Sequence, residues 1–221
     1  INSGGFVNTN APSYATGATL QYNSGSVYGR STEWSATSGA GYPYNVQVSN
    51  NTTLNYPNGT VVARAMEGSL TIDAGSSLYM DYGSPGNSQP LTVTGNITIN
   101  GNLSLGDASG GDLYLGRNWT RGSSGVFTPN SRIVYFGGGG TQTITVTGGG
   151  TETFNYFGIS KPANNVKLSS SPATNVIVNG SSGDVLQLLN SAGGIDLNGQ
   201  TMTLSGSGGN ILTTNSSHTI T

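Results

Sequence analysis

Cysteine is missing from this chain of 221 residues, so disulfides and thiolate metal sites are excluded. Charge is scarce: Asp, Glu, Lys and Arg make up 7%, against about a quarter in an ordinary soluble domain. The seven cationic side chains are scattered and the net charge is -2, so no basic patch offers itself to nucleic acid or to an anionic membrane. A single histidine, His218, lies near the C-terminal end. No apolar run approaches the roughly eighteen residues of a membrane span, so membrane insertion is not expected. Nor does any ten-residue window hold a 3.6-residue apolar period, which leaves almost no helix to expect.

What remains is glycine (36 residues), Ser, Thr and Asn around evenly spread, often β-branched apolar residues that amount to 33% of the chain. Disorder by low hydrophobicity normally comes with high charge, which is absent here. The composition reads as an ordered all-β protein with a narrow core. Its poverty in Lys and Glu suits an exported chain, and the start at Ile1 without a charged-then-apolar leader is read as a mature chain after signal-peptide removal.

The stretch 91–120, LTVTGNITINGNLSLGDASGGDLYLGRNWT, carries the plan. Leu91-Thr92-Val93, Ile97-Thr98-Ile99, Leu103-Ser104-Leu105 and Leu113-Tyr114-Leu115 each place two apolar residues around one outward residue, the period of a half-buried strand. Gly-Asn pairs between the first three reach left-handed angles cheaply and turn the chain. Similar pairs recur at Val46/Val48, Leu54/Tyr56, Val61/Val62, Leu70/Ile72 and Leu78/Met80. They return at Ile133 to Phe136, Ile144/Val146, Phe154 to Ile159, Val166/Leu168, Val176/Val178, Leu186/Leu188, Ile195/Leu197, Met202/Leu204 and Ile211. Strands this short, with irregular corners, fit a right-handed parallel β-helix better than a sandwich or barrel. Residues 1–45 read as a less regular N-terminal cap of the same domain, and residues 46–221 as the β-helix.

Candidate chemistry is sparse. Trp34, Tyr42 and Tyr44 read first as a lid over the open end of the solenoid, and second, with Trp119, as carbohydrate contacts. Nine acids (Glu33, Glu67, Asp73, Asp81, Asp107, Asp112, Glu152, Asp184, Asp196) include no adjacent pair, and no catalytic residue is assigned. Asp107 and Asp112 in GDASGGD outline a single weak Ca²⁺ candidate, for which a plain turn is the preferred reading; no cofactor is otherwise implied. Thr-x-Thr at Thr92/Thr94, Thr143/Thr145/Thr147 and Thr201/Thr203 raises ice binding, but the spacing is too irregular for one flat array. The sequons at Asn51, Asn58, Asn96, Asn102, Asn118 and Asn215 follow from composition, and Asn and Thr are expected to form hydrogen-bonded ladders along the stack.

The phrases LTVTGNITINGNLSLG, GGDLYLGRNWT, FTPNSRIVYFGGGGTQTIT, TETFNYFGISKP and GGIDLNGQTMTLSG resemble those of large repetitive surface proteins of Bacteroidetes, over about residues 18–221. The matching positions are Gly111, Asp112, Gly116, Asn118, Trp119, Phe127 to Asn130 and Thr141 to Ile144. That resemblance implies a β-helical adhesin or extracellular fibre exported by the type IX system, although no sorting domain is seen. His218-Thr219-Ile220-Thr221 stops in mid-pattern, and an uncapped end after Ile211 suggests end-to-end contact with adjoining repeats or other copies. The sequence-level expectation is thus a secreted, non-catalytic adhesin segment or fibre subunit. A carbohydrate-binding or polysaccharide-degrading β-helix is the alternative, and ice binding the least favoured. Surface polysaccharide is the further partner considered.

Overall fold

A computed structural model describes residues 1–189, 193–214 and 217–221. The chain winds as a parallel β-solenoid of eight coils, as the strand pattern predicts, and every pairing between named strands is parallel. The first coil holds β1 (Thr19–Tyr22) and β2 (Val27–Gly29), and the second β3 (Asn45–Val48), β4 (Thr53–Asn55) and β5 (Arg64–Met66). The third holds β6 (Leu70–Ile72), β7 (Ser77–Tyr79) and β8 (Leu91–Val93), and the fourth β9 (Ile97–Ile99), β10 (Asn102–Ser104) and β11 (Leu113–Leu115). The fifth holds β12 (Trp119–Arg121), β13 (Val126–Thr128) and β14 (Ile133–Phe136), and the sixth β15 (Gln142–Val146), β16 (Gly150–Phe154) and β17 (Tyr156–Ser160). The last two hold β18 (Val166–Leu168), β19 (Thr174–Val178) and β20 (Asp184–Leu189), then β21 (Ile195–Asp196), β22 (Met202–Leu204) and β23 (Asn210–Thr213).

The first strands of the coils form one eight-stranded face and the third strands a seven-stranded face. The middle strands form a face split in two, β2 to β13 and β16 to β22. The corners absorb the irregular repeat: Ile97 pairs with Trp119, 22 residues on, whereas Val166 pairs with Ile195, 29 residues on. Solenoid stacking begins at Thr19, inside the segment expected as a cap, because β1 already pairs in register with β3. In place of a third strand, the first coil has a 3-10 turn, Thr32–Trp34, and residues 36–44 cover the edge of β5.

Inward positions stack into continuous rows. One runs Leu20, Val46, Leu70, Ile97, Trp119, Ile144, Leu168, and all seven are buried. Each fully buried aliphatic side chain contributes roughly 1.5–3 kcal/mol, which holds three-residue strands that have little stability alone. In the fifth and sixth coils Trp119, Phe127, Phe136, Phe154 and Phe157 form a ring cluster with centroids 4.7–6.0 Å apart. These rings crowd the space between β13 and β16, which explains why the middle face is split there.

At one corner the polar ladder expected from the sequence is present. Asn45 accepts from the Ser69 N–H, Ser69 from Asn96, Asn96 from Asn118 and Asn118 from Thr143, each side chain serving the backbone of the next coil. On the eight-stranded face, Thr71, Thr98, Thr120 and Thr145 stand in one register row.

Candidate functional site: a lateral cleft

The exposed aromatic surface lies where the sequence reading did not place it. Trp34 is buried, packs edge-on against Tyr56 at 5.2 Å and donates its indole N–H to Ala65 O; it offers no face to a sugar. Trp119 is equally buried within the ring cluster. Both carbohydrate candidates are corrected for one reason: an indole on an inward strand or turn position of a narrow solenoid fills the core. Tyr42 and Tyr44 are half-buried on the segment that covers β5, with Tyr44 beside Gly68.

The acids serve the scaffold. Asp107 accepts from the Gly86 and Asn87 N–H groups, and Asp112 from the Ile133 N–H. Asp81 accepts from Ser104 and Asn130, Asp73 from Gln47, and Glu33 from Tyr22 and from the Ser31 N–H. Burial holds the Asp112 carboxyl above its ordinary range, opposed by its bond from Ile133 and by Arg132. Among the described residues, no group of three or more His, Asp or Glu gathers to hold a metal. His218 is bonded through its ring Nδ1 to Gly193 O. The Thr-x-Thr pairs fall on three faces, Thr92 on β8, Thr143 and Thr145 on β15, and Thr203 on β22. The sequon at Asn215 lies outside the described residues.

A cleft runs along the corner between the seven-stranded and eight-stranded faces, from the third coil to the sixth. One part, of about 290 Å³, is lined by Thr92, Tyr114, Tyr135, Gly116, Gly138 and Ser160 among others. A second, of about 390 Å³, shares Thr94, Gly116 and Gly138 with it and adds Asn96, Arg117, Asn118 and Thr141. Tyr114 and Tyr135 hold one outward register position on β11 and β14, and their rings stack at 4.8 Å and 15°. Tyr114 remains 41% exposed. Next along that row is Gly158, where a Cβ would stand 2.3 Å from the Tyr135 ring, so the ring lies flat over bare backbone. Burial raises both phenols, with the charge of Asp112 adding to the rise.

The floor is built from below. Lys161, fully buried, donates from Nζ toward Gly137 O, Gly138 O, Gly140 O and Gln142 Oε1 at 2.7–3.2 Å. Gln142 in turn donates to Leu115 O and Arg117 O. Together they hold two glycine-containing corners in place. Lys161 has no carboxylate partner, for the only ion pairs among the described residues are Arg121–Glu152 and Lys167–Asp196. Burial lowers its ammonium to about 8. Alternating Tyr114 and Tyr135 with apolar neighbours looked like ordinary strand sequence; only the register brings the rings together.

The fold and this cleft define a parallel β-solenoid with a lateral binding-sized groove. No family model, no curated protein and no solved structure matches the chain.

Proposed function

We propose that this chain is a non-catalytic structural and adhesive segment of an exported cell-surface protein, either a length of rod within a long adhesin or a subunit of an extracellular fibre. The observation that carries this reading is the use of the carboxylates. Seven of the nine (Glu33, Asp73, Asp81, Asp107, Asp112, Glu152 and Asp196) have their oxygens engaged in bonds that fix turns or join coils. Acid–base catalysis on a polysaccharide needs two carboxyl groups free to face one bond, and these carboxylates are engaged in scaffold hydrogen bonds instead.

The C-terminal end supports the end-to-end part of the proposal. Ile211, Leu212 and Ile220 are exposed there, and among the described residues nothing pairs with the outer edges of β22 and β23. Unpaired parallel edges with apolar side chains favour the addition of a further coil, whether from the same protein or from another copy. The family reading, a repetitive surface protein of the Bacteroidetes kind, belongs to the same proposal, as does an extracellular location.

Electron microscopy of the purified chain and a reducing-end assay on a polysaccharide panel test it together. Extended rods or stacked filaments without sugar release are expected. Release of reducing ends that is lost in Asp112→Asn would overturn the non-catalytic reading.

A further inference from the structure

We propose that the cleft lined from Thr92 to Ser160 binds an acidic polysaccharide, a sugar chain bearing carboxylate or sulfate groups. The inference deepens the adhesive reading and rests on it only in treating the cleft as a contact surface. Four observations converge.

The first is the aromatic platform. Outward strand positions in this chain are mostly Thr, Asn, Gln or Ser, yet β11 and β14 place two tyrosines in one register position, stacked and partly exposed beside a concave, largely apolar surface. Sugar C–H faces pack on such rings, and phenol hydroxyls reach sugar hydroxyls at the rim.

The second is the set of unengaged donors. Asn96 and Asn118 each use Oδ1 for the next coil's backbone, which turns their Nδ2 amides outward. Among the described residues neither amide has a partner, and the exposed Arg117 guanidinium has none either. Three nitrogen donors on one rim select a ligand rich in acceptor oxygens.

The third is charge. The cleft's lining includes Arg117 and no acid, and Lys161 lies beneath it without a counter-ion. Asp112, whose charge reaches both tyrosine rings, is itself offset by Arg132. Arg117 and Lys161 therefore leave the groove with a positive balance in a chain with only seven cationic side chains, a field that a neutral sugar would not use. A bidentate guanidinium contact suits a carboxylate or a sulfate equally.

The fourth is preorganisation. The Lys161 and Gln142 bonds to five carbonyls fix the glycine corners, so the groove exists before a ligand arrives and little ordering entropy is lost on binding.

Native-gel affinity electrophoresis tests the proposal with three polymers cast in the gel: polygalacturonate for carboxylate, dextran sulfate for sulfate, and uncharged dextran. Retardation by one or both acidic polymers and not by dextran is expected, and the stronger arm names the acidic group. Tyr114→Ala should weaken retardation at least tenfold. Arg117→Gln, an exposed change that leaves the fold intact by thermal unfolding, should remove the preference for the acidic polymers. Equal retardation by dextran, none by any polymer, or folded variants retarded as strongly as the original chain would overturn the proposal. Reducing-end release from the same polymers would instead overturn the non-catalytic reading, so the two failures are distinguishable.

Discussion

The indole N–H of Trp119 donates to Glu152 Oε2 at 2.8 Å, and the same oxygen accepts from Arg121 Nε at 2.9 Å. The bonds tie β12 on the eight-stranded face to β16 on the middle face. Glu152 occupies an inward row that Val176 and Met202 continue in later coils. Burial raises the Glu152 carboxyl, against the opposing pull of Arg121 and the indole N–H. The bonds sit where the middle face is split and its backbone ladder is lost.

Removing the carboxylate in Glu152→Ala strands a buried indole N–H and leaves the Arg121 guanidinium, still bonded to Gly125 O and Thr151 O, without its counter-charge. It should cost about 3 kcal/mol in urea unfolding. Trp119→Phe keeps a ring and loses one donor, for about 1–3 kcal/mol. The double variant should cost less than the sum of the two. Strict additivity would show that the bond carries no coupling.

Asn130 joins three coils. Its Nδ2 donates to Asp81 Oδ2 at 2.8 Å, Ser104 Oγ at 3.0 Å and Leu105 O at 2.9 Å, from a backbone at φ 48°. Asn130→Ala should destabilise by about 1–3 kcal/mol, since it removes the donor and puts Ala in the left-handed region. Asn130→Gly should recover only the backbone share. Equal losses for the two variants would place the whole effect in the side-chain bonds.

Glycine is required at the cleft floor by close approach. A Cβ on Gly116 would lie 2.2 Å from Thr94 O and one on Gly138 2.4 Å from Gly116 O, whereas one on Gly139 meets nothing within 4 Å. Gly116→Ala should cost at least about 1–3 kcal/mol by overpacking, and Gly139→Ala should stay within about 0.5 kcal/mol of the original chain. Thermal unfolding of the pair checks the contrast.

Lys161 gives a pH signature. Burial lowers its pKa to about 8 from the ordinary 10.5, so the folded chain releases this proton before the unfolded chain does. Between those values the unfolded state binds more protons, and unfolding free energy rises with pH. Buried tyrosines such as Tyr22, Tyr56, Tyr114 and Tyr135, whose phenols burial raises, pull the other way as pH nears 10 and are common to both proteins. The Lys161 signature is therefore a difference: the urea midpoint of the original chain should gain on that of Lys161→Met from pH 8 to 10. Parallel slopes for the two proteins would show that Lys161 is not the source.

Charge at the open end should block stacking. Leu212→Lys places a cation on the exposed edge strand β23, a position where natural edges deter pairing. Sedimentation should show filaments or higher oligomers for the original chain and single rods for Leu212→Lys. Unchanged assembly would show that copies meet elsewhere.

Much of the scaffold was legible because a three-residue strand with two inward apolar residues writes itself as alternation. Leu91–Val93, Ile97–Ile99 and Leu113–Leu115 are strands as that pattern predicts. The pattern misled at Val61/Val62, where the strand is Arg64–Met66, because a buried arginine occupies an inward position. It was silent for Trp119–Arg121 and Val126–Thr128, whose polar or exposed residues break the alternation.

Local chemistry in the sequence determined the short strands and the all-β class, since both follow from backbone sterics and a two-residue period. The corners expected to be left-handed at Gly95-Asn96 and Gly101-Asn102 turn without positive φ. Those glycines are required by close approach, a Cβ on Gly95 lying 2.5 Å from Gly68 O and one on Gly101 2.1 Å from Ser76 O. Register between coils 22–29 residues apart was decided only by stacking, which closes corners of unequal length around one core. That register buries Trp34 and Trp119, aligns four threonines, and sets Tyr114 on Tyr135. It also brings Lys161 beneath a glycine corner more than twenty residues earlier, and so creates a groove that no stretch of sequence contains.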